Sequence, residues 1–219
     1  DGTPVSEVDR AVEEAMLALV RTNGADAVLG EEVGKHLGTS NRRWIFDGID
    51  GTHNYADGRP GWGTIIALDV DGTIELGMVS APVWGRRWWA ALGAGAWSAS
   101  YAEDGSFDVA AAERLQCAAE TSLADATTIV IPWEGALLGW RNQVPRLFHL
   151  PESIRSQCFA LDAVMVAEGT LDASIIVFGG IWDFAATSLI VRESGGVFRD
   201  AWGAERLDTA TGVFTNAEL

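Results

Sequence analysis

A series of short strand-like runs separated by glycine-rich turns fills the first half of the chain and restricts the folds open to it. The runs are residues 27–29, 44–46, 63–70, 74–81, 87–92 and 95–99. Because consecutive strands joined by tight turns pair antiparallel, this half predicts a meandering antiparallel sheet. An amphipathic helix over residues 6–21 precedes the sheet, with its apolar positions at helical spacing: Val8, Val12, Ala15, Met16 and Leu19.

The pattern changes in the second half of the chain. Residues 127–131 and 173–177 are apolar runs typical of buried strands, whereas residues 158–168 and 184–193 have helical spacing. Strands that alternate with helices predict an α/β unit. We therefore expect a layered α/β (α+β) sandwich with a β-rich half over residues 1–112 and an α/β half over residues 113–219. The functional site is expected between the two halves.

The charge balance argues against two classes of partner. The chain of 219 residues carries 31 acidic and 15 basic side chains, for a net charge of −16. Such a chain repels nucleic-acid phosphates and anionic lipid headgroups, so neither nucleic acid nor a membrane is expected as a partner. The longest apolar stretch, residues 173–182, is shorter than the roughly 18 residues that a membrane span requires. Cys117 and Cys158 lack zinc-site spacing, which favours a reducing, cytoplasmic setting.

One apolar run leads directly into a cluster of acids and turn residues, Asp47-Gly-Ile-Asp50-Gly51-Thr52. Two ionised carboxylates about 4 Å apart repel by roughly 4 kcal/mol at an effective dielectric constant of 20, so a convergent pair requires a cation or a shared proton. Carboxylate oxygens favour Mg²⁺. Gly51 and Thr52 are suited to open a short helix whose N–H groups receive a phosphate. The alternative is two Asp-Gly turns that merely end a strand.

Two further acidic elements favour the metal site. Glu31 and Glu32 follow an apolar run, and Asp183 follows Trp182 just before the predicted helix 184–193. Alone, the glutamates are typical of a solvated loop and Asp183 of a helix N-cap. Together with Asp47 and Asp50 they supply the four or five carboxylates that a two-Mg²⁺ phosphoryl-transfer site needs.

The ordered motifs resemble those of the inositol monophosphatase family, Mg²⁺-dependent and Li⁺-sensitive phosphatases. The resemblance covers nearly the whole chain and rests on residues 3–9, 30–32, 47–52, 182–186 and 193–196. It implies an αβαβα sandwich of the inositol monophosphatase or sugar phosphatase type, truncated at both ends. It also implies a homodimer that acts on a small phosphorylated metabolite.

The resemblance further implies two or three Mg²⁺ ions and their ligands. The first ion would be held by Glu31, Asp47 and the carbonyl of Ile49. The second would be held by Asp47, Asp50 and Asp183. A third, weaker ion would lie near Asp9.

Catalytic and substrate-binding roles follow from the same resemblance. The backbone amides of Gly51 and Thr52 would bind phosphate, and the Thr52 hydroxyl with Glu31 would orient the attacking water. Glu31, Asp47 and Thr52 are therefore the expected catalytic residues. His53 and Arg155 are expected to contact the substrate.

Within the family, residues 79–91 and the spacing from Glu31 to Asp47 are most similar to bacterial histidinol-phosphate phosphatases. Histidinol phosphate is thus the expected substrate, with inositol phosphate or another polyol phosphate as the alternative. A non-catalytic relative that binds metal or a phosphorylated ligand is the alternative of another class. The chain departs from the family at four positions: Gly48, where a more flexible turn is expected, Cys158, Phe159 and Ile176.

A second phosphatase signature lies at residues 64–73, where an apolar run leads into Asp69-Val-Asp71-Gly-Thr. It matches the motif of haloacid-dehalogenase-type phosphatases, in which the first Asp is a nucleophile. That chemistry needs a downstream Lys or Arg and a later acidic pair, and no lysine follows Lys35. Because apolar residues alternate after Thr73, a hairpin turned at Asp71-Gly72 is favoured instead.

Overall fold

The structure is a computed structural model, which describes residues 7–22, 24–102, 104–119, 129–131, 153–155 and 158–217. Within these residues, two β-sheets and four α-helices form the framework of the protein. The helices are α1 (Glu7–Thr22), α2 (Thr52–Ala56), α3 (Phe159–Ala167) and α4 (Ile181–Glu193). The strands of the first sheet are β1 (Ala27–Gly30), β2 (Gly34–His36), β3 (Arg42–Asp50), β4 (Gly63–Val70), β5 (Thr73–Ala81), β6 (Arg86–Ala91), β7 (Gly95–Ser100) and β8 (Glu113–Arg114). Those of the second are β9 (Ile129–Ile131), β10 (Ser153–Arg155), β11 (Ala173–Val177), β12 (Val197–Arg199) and β13 (Thr211–Thr215).

The first sheet has the strand order β2-β1-β3-β4-β5-β6-β7-β8. From β3 to β8 every neighbouring pair is antiparallel and consecutive in the chain, which confirms the predicted meander. Among the described strands of this sheet, the pair β1–β3 alone is parallel. The second sheet has the order β10-β9-β11-β13-β12, with β9 parallel to both β10 and β11 and β13 antiparallel to its neighbours.

The hairpin between β4 and β5 settles the role of the second acidic motif. Asp71 and Gly72 both have positive φ, +52° and +86°, as a two-residue hairpin turn requires. Asp69 accepts a hydrogen bond from the Gly72 N–H at 2.7 Å and pairs with the Arg43 guanidinium, whose Nε lies 3.0 Å away. Asp69 is therefore held by its own hairpin and by the neighbouring strand, as the hairpin interpretation predicts.

The described elements form four layers, helix, sheet, helices, sheet. Successive residues of β3 face opposite sides, so Ile45 joins the core around α3 and α4 whereas Phe46 packs against α1. Helix α4 contacts strands of both sheets. Its approach to β5 is close, because a Cβ at Gly77 would lie 2.7 Å from the Ala186 carbonyl oxygen. Among the described helices, none is both long and apolar enough to cross a membrane.

Helix α1 has the predicted position but not the predicted buried face. Its buried residues are Asp9, Glu13 and Leu17, one turn apart, whereas Val8 and Leu19 are exposed. The expectation from apolar periodicity is confirmed for Met16, which packs against the core, but it is wrong for Val8 and Leu19, because two acids take core-facing positions on the helix. Both of these acids point towards the end of β3, where the candidate site lies.

Two other predicted boundaries also differ. Strand β3 runs to Asp50, so Asp47 belongs to a strand and not to a turn after it. Helix α4 begins at Ile181, so Trp182 and Asp183 lie in its first turn rather than before it. The runs 63–70 and 173–177 are strands with the predicted bounds. The division of the chain into two halves at residue 112 stays a prediction.

Candidate active site

A β-bulge at the end of β3 brings Asp47 and Asp50 together. Residues three apart in a regular strand point to opposite faces of the sheet. Asp47 lies opposite Ile65 of β4, yet Asp50 lies opposite Gly63, so β3 contains one extra residue between these pairs. The extra residue lets both carboxylates reach the same side of the sheet.

Asp183 completes a group of three carboxylates with Asp47 and Asp50. One carboxylate oxygen from each lies within 4.8 Å of the others, and all three residues are buried. Asp183 stands in the first turn of α4, where its Oδ2 accepts a hydrogen bond from the Gly180 N–H. Asp50 Oδ2 accepts one from the Ala160 N–H in α3. The starts of two helices therefore fix these two side chains.

Asp47 is the member shared with a second group. Oxygens of Asp9, Glu13 and Asp47 also lie within 4.8 Å of one another, and these residues too are buried. The Oδ1 atom of Asp47 is buried without a hydrogen-bond donor among the described residues. A buried carboxylate oxygen of this kind, between two groups of acids, fits a cation ligand.

Glu13 is a residue of the site that the sequence interpretation missed. Its Oε1 accepts hydrogen bonds from the N–H groups of Glu31 (3.1 Å) and Gly48 (3.2 Å). Its Oε2 accepts hydrogen bonds from the N–H groups of Glu32 and Val33, both at 2.9 Å. The Glu13 carboxylate thus ties the loop that carries Glu31 to the end of β3. A signal was present, since Asp9, Glu13 and Leu17 are spaced four residues apart on one helix face.

The other predicted residues are distributed around one cavity of about 370 Å³. Glu31, Ile49, Gly51, Thr52 and His53 line it together with Asp47, Asp50 and Asp183. Glu31 is exposed at the rim, and its carboxylate belongs to neither group of oxygens found within 4.8 Å among the described residues.

The motif Gly51-Thr52 opens a short helix, as predicted. Gly51 precedes α2 with a positive φ of +85°, which favours glycine. The Thr52 hydroxyl lies 3.0 Å from the Ile49 carbonyl oxygen and 3.4 Å from Asp9 Oδ2, so it can donate to either. Thr52 is therefore positioned between β3 and α1 at the edge of the acidic groups.

The predicted substrate positions have different outcomes. Ile176, one of the positions at which the chain departs from the family, lies in the hydrophobic core and does not line the cavity. The prediction for Arg155 concerns a side chain outside the described part of the structure. Phe159, by contrast, does line the cavity.

Gly48 does not make the flexible turn that was expected, because it lies within β3. Its N–H donates to Glu13 and its carbonyl accepts from Thr64 Oγ1 at 2.8 Å. A Cβ at this position would lie 2.6 Å from Asp9 Oδ1 and 2.8 Å from the Asp9 carbonyl oxygen. Glycine therefore allows α1 to approach the strand closely.

Burial and mutual repulsion raise the pKa values of the clustered carboxyl groups. Burial first, then the negative charges of Glu13 and Glu32, raise the pKa of Asp9 to about 6. Partial burial and the charges of Asp9 and Asp50 raise the pKa of Glu31 to about 7. The pKa values of Asp47 and Asp183 are raised well above the ordinary aspartate value by burial and by Asp50. A bound cation relieves this repulsion, so the cluster can hold a metal ion.

Comparison with known proteins agrees with this arrangement. The family model described as "Inositol monophosphatase family" matches residues 1–218. A histidinol-phosphatase from Mycobacterium tuberculosis is 37% identical over 221 residues, which cover 100% of this chain and 82% of the relative. A Streptomyces griseus protein named glucose-1-phosphate thymidylyltransferase is 38% identical over 95% of this chain and 77% of its own length.

A solved structure shows the same fold. The crystal structure of the extragenic suppressor protein suhB from Bartonella henselae has a TM-score of 0.82 and 27% sequence identity, covering 98% of this chain and 80% of that one. This likeness confirms the predicted mixed α+β fold. The family match and the histidinol-phosphatase relative confirm the prediction of a phosphoric monoester hydrolase. The chain belongs to the inositol monophosphatase family.

Proposed function

We propose that the protein is a Mg²⁺-dependent phosphatase whose substrate is histidinol phosphate. The observation that carries the metal dependence is the convergence of Asp47, Asp50 and Asp183 within 4.8 Å, all buried. Three carboxylates in this position repel one another strongly unless a cation lies among them. Because the ligand atoms are all carboxylate oxygens, a hard divalent cation such as Mg²⁺ suits them best.

Asp47, Asp50 and Asp183 would hold one ion, and Asp47 with Glu31 and the Ile49 carbonyl would hold a second. Asp9 lies beside Asp47 in the other acidic group, where a third ion would bind. When bound, Mg²⁺ supplies Lewis acidity and neutralises charge on the phosphoryl oxygens and the leaving alkoxide.

The chain's own residues supply positioning. The N–H groups of Gly51 and Thr52, at the start of α2, would receive the phosphate oxygens. The Thr52 hydroxyl and the Glu31 carboxylate would orient the water that attacks phosphorus in line with the leaving group.

The choice of histidinol phosphate is supported by the histidinol-phosphatase relative and by the motif at residues 79–91. An inositol phosphate or another small polyol phosphate is the second candidate, favoured by the family to which the chain belongs. Li⁺ inhibition, a homodimer and a cytoplasmic location stay predictions.

Phosphate release from histidinol phosphate and from inositol 1-phosphate tests the proposal directly. Each substrate is assayed with Mg²⁺, with EDTA, and with Mg²⁺ plus added Li⁺. We expect release that depends on Mg²⁺, is inhibited by Li⁺, and is faster with histidinol phosphate. Turnover of inositol 1-phosphate alone would refute the choice of substrate.

Failure to release phosphate from either substrate would favour the non-catalytic alternative or another phosphate ester. Assay of further small phosphate esters separates these two results, and calorimetric titration of the folded protein with Mg²⁺ tests the metal site on its own. A protein that binds no Mg²⁺ would contradict the proposed metal site itself.

A further inference from the structure

Three aromatic side chains line the same cavity as the carboxylates, and we call them the aromatic wall: Phe159, Phe178 and Trp182. Phe159 is the first residue of α3, Phe178 follows β11, and Trp182 lies in the first turn of α4. Phe159 is followed by Ala160, whose N–H donates to Asp50, and Trp182 directly precedes Asp183, so two of the three rings are next to the acidic group. The wall therefore lies next to the point where a phosphate ester would be cleaved.

Phe178 has a conformation that requires an explanation. Its φ is +67°, in the left-handed region that bulky side chains rarely adopt, and such a residue costs about 1–3 kcal/mol. The residue is nevertheless 66% exposed, so burial in the core does not offset this cost. A strained, exposed aromatic residue at a cavity is a candidate for ligand binding.

The Trp182 ring packs directly over Gly180, where any larger residue would displace it. A Cβ at Gly180 would lie only 2.6 Å from Cζ2 of the Trp182 indole, so the ring covers the backbone at that position. Phe159 is fixed as well, because it is partly buried against the hydrophobic core. The wall thus combines two side chains fixed by packing with one exposed ring.

The rest of the cavity lining, as far as the structure describes it, offers little to a neutral polyol. No lysine or arginine is among the described lining residues. Glu32 pairs with Arg10 at 3.4 Å, and the Cys158 thiol donates to Asp50 Oδ2 at 3.1 Å. Among the described lining residues, a ligand with several hydroxyl groups would therefore find few partners outside the acidic groups, Thr52 and His53.

An alcohol that carries both a planar ring and a positive charge, as histidinol does in its imidazole and its ammonium group, suits this surface better. Its ring can stack on the aromatic faces, and the excess of carboxylates around the cavity attracts its charge. We propose that the aromatic wall binds the alcohol portion of the substrate and selects esters whose alcohol carries a planar ring and a positive charge over neutral polyol esters. This inference rests on the proposed phosphatase function and names the part of the site that determines specificity.

The test compares kcat/KM for histidinol phosphate and inositol 1-phosphate in the wild type and three variants at one saturating Mg²⁺ concentration. Phe178→Ala removes the exposed ring, and Phe178→Tyr retains it. Trp202→Ala is the matched control, because Trp202 is 63% exposed and does not line the cavity. Thermal melting verifies that each variant is folded.

We expect Phe178→Ala to lower the ratio of the two kcat/KM values about tenfold, mainly through a higher KM for histidinol phosphate. Phe178→Tyr and Trp202→Ala should leave the ratio within about twofold of the wild-type value. An unchanged ratio in an active Phe178→Ala enzyme, or equal losses with both substrates, would overturn the role of the wall while leaving the phosphatase intact. A wild-type protein without Mg²⁺-dependent turnover of either ester would overturn both proposals.

Discussion

Replacing Glu13 by Gln tests whether one buried carboxylate organises the active-site loop. The wild-type side chain accepts four backbone N–H groups, two on each oxygen. Glutamine has the same shape but exchanges one oxygen for an NH₂ group, which is a donor. Whichever way the amide is turned, two backbone N–H groups lose their acceptor and face another donor.

The expected loss of stability follows from those two groups. A buried N–H left without an acceptor costs about 1–3 kcal/mol, so the pair amounts to roughly 2–6 kcal/mol. The neutral amide is less costly to bury than a carboxylate, and burial already raises the pKa of Glu13. We therefore expect a net decrease of about 3 kcal/mol in the free energy of unfolding.

Urea denaturation in EDTA measures this change, and Mg²⁺ titration of phosphatase activity measures its effect on the site. Because Glu31 and Gly48 both donate to Glu13, the variant should also need more Mg²⁺ for half-maximal activity. Glu14→Gln is the matched control, since Glu14 is the exposed neighbour on the same helix. Equal stability and equal Mg²⁺ requirement in the two variants would refute the role assigned to Glu13.

Three further predictions concern the acidic groups. Asp183→Asn should lower kcat at least 100-fold, because it removes a metal ligand. Its melting temperature should be unchanged or higher, because the amide oxygen can still accept the Gly180 N–H while one repulsive charge is lost. A fully active variant would show that the site is misassigned. The pKa of Asp9 is about 6 in the folded protein, above the value of the unfolded chain, so the folded state binds the proton more tightly. The stability that Asp9 contributes is therefore fully present below about pH 4 and is lost as the pH rises through 6. Differential scanning calorimetry of the EDTA-treated protein should therefore give a higher midpoint at pH 5 than at pH 7.5, with a smaller difference in Mg²⁺. Gly48→Ala should destabilise the protein by about 1–3 kcal/mol in urea denaturation, because the Cβ of the new alanine would collide with the backbone of Asp9. A variant of wild-type stability would contradict the close approach of α1 to β3.

Much of the fold could be predicted because its strands carry clear local signals. The strands 63–70 and 173–177 have the predicted bounds, and the turn at Asp71-Gly72 contains residues that tolerate positive φ. The strands Val197–Arg199 and Thr211–Thr215 were not predicted. They are short, and their pairing with each other and with β11 depends on contacts far along the chain.

The candidate site was less accessible from sequence because buried acids do not follow hydrophobic periodicity. Apolar spacing in α1 indicates Val8 and Leu19, which are exposed, and does not indicate Glu13, which is fully buried. Only the backbone N–H groups of a distant loop make that burial favourable, and sequence spacing does not reveal them. Ile176, by contrast, belongs to an apolar run that predicts a buried strand, and the structure places it in the core.

The bulge at the end of β3 implies that the relative lengths of β3 and β4 matter as much as their composition. One extra residue in β4 between Gly63 and Ile65 would restore regular pairing with β3 and turn Asp50 to the face opposite Asp47, because residues three apart in a regular strand face opposite sides. Such a chain would keep every acidic residue and nearly all of its core, yet the three carboxylates would no longer meet. In related sequences, one extra residue at this place in β4 is therefore a sign of lost metal binding, even where both aspartates are present.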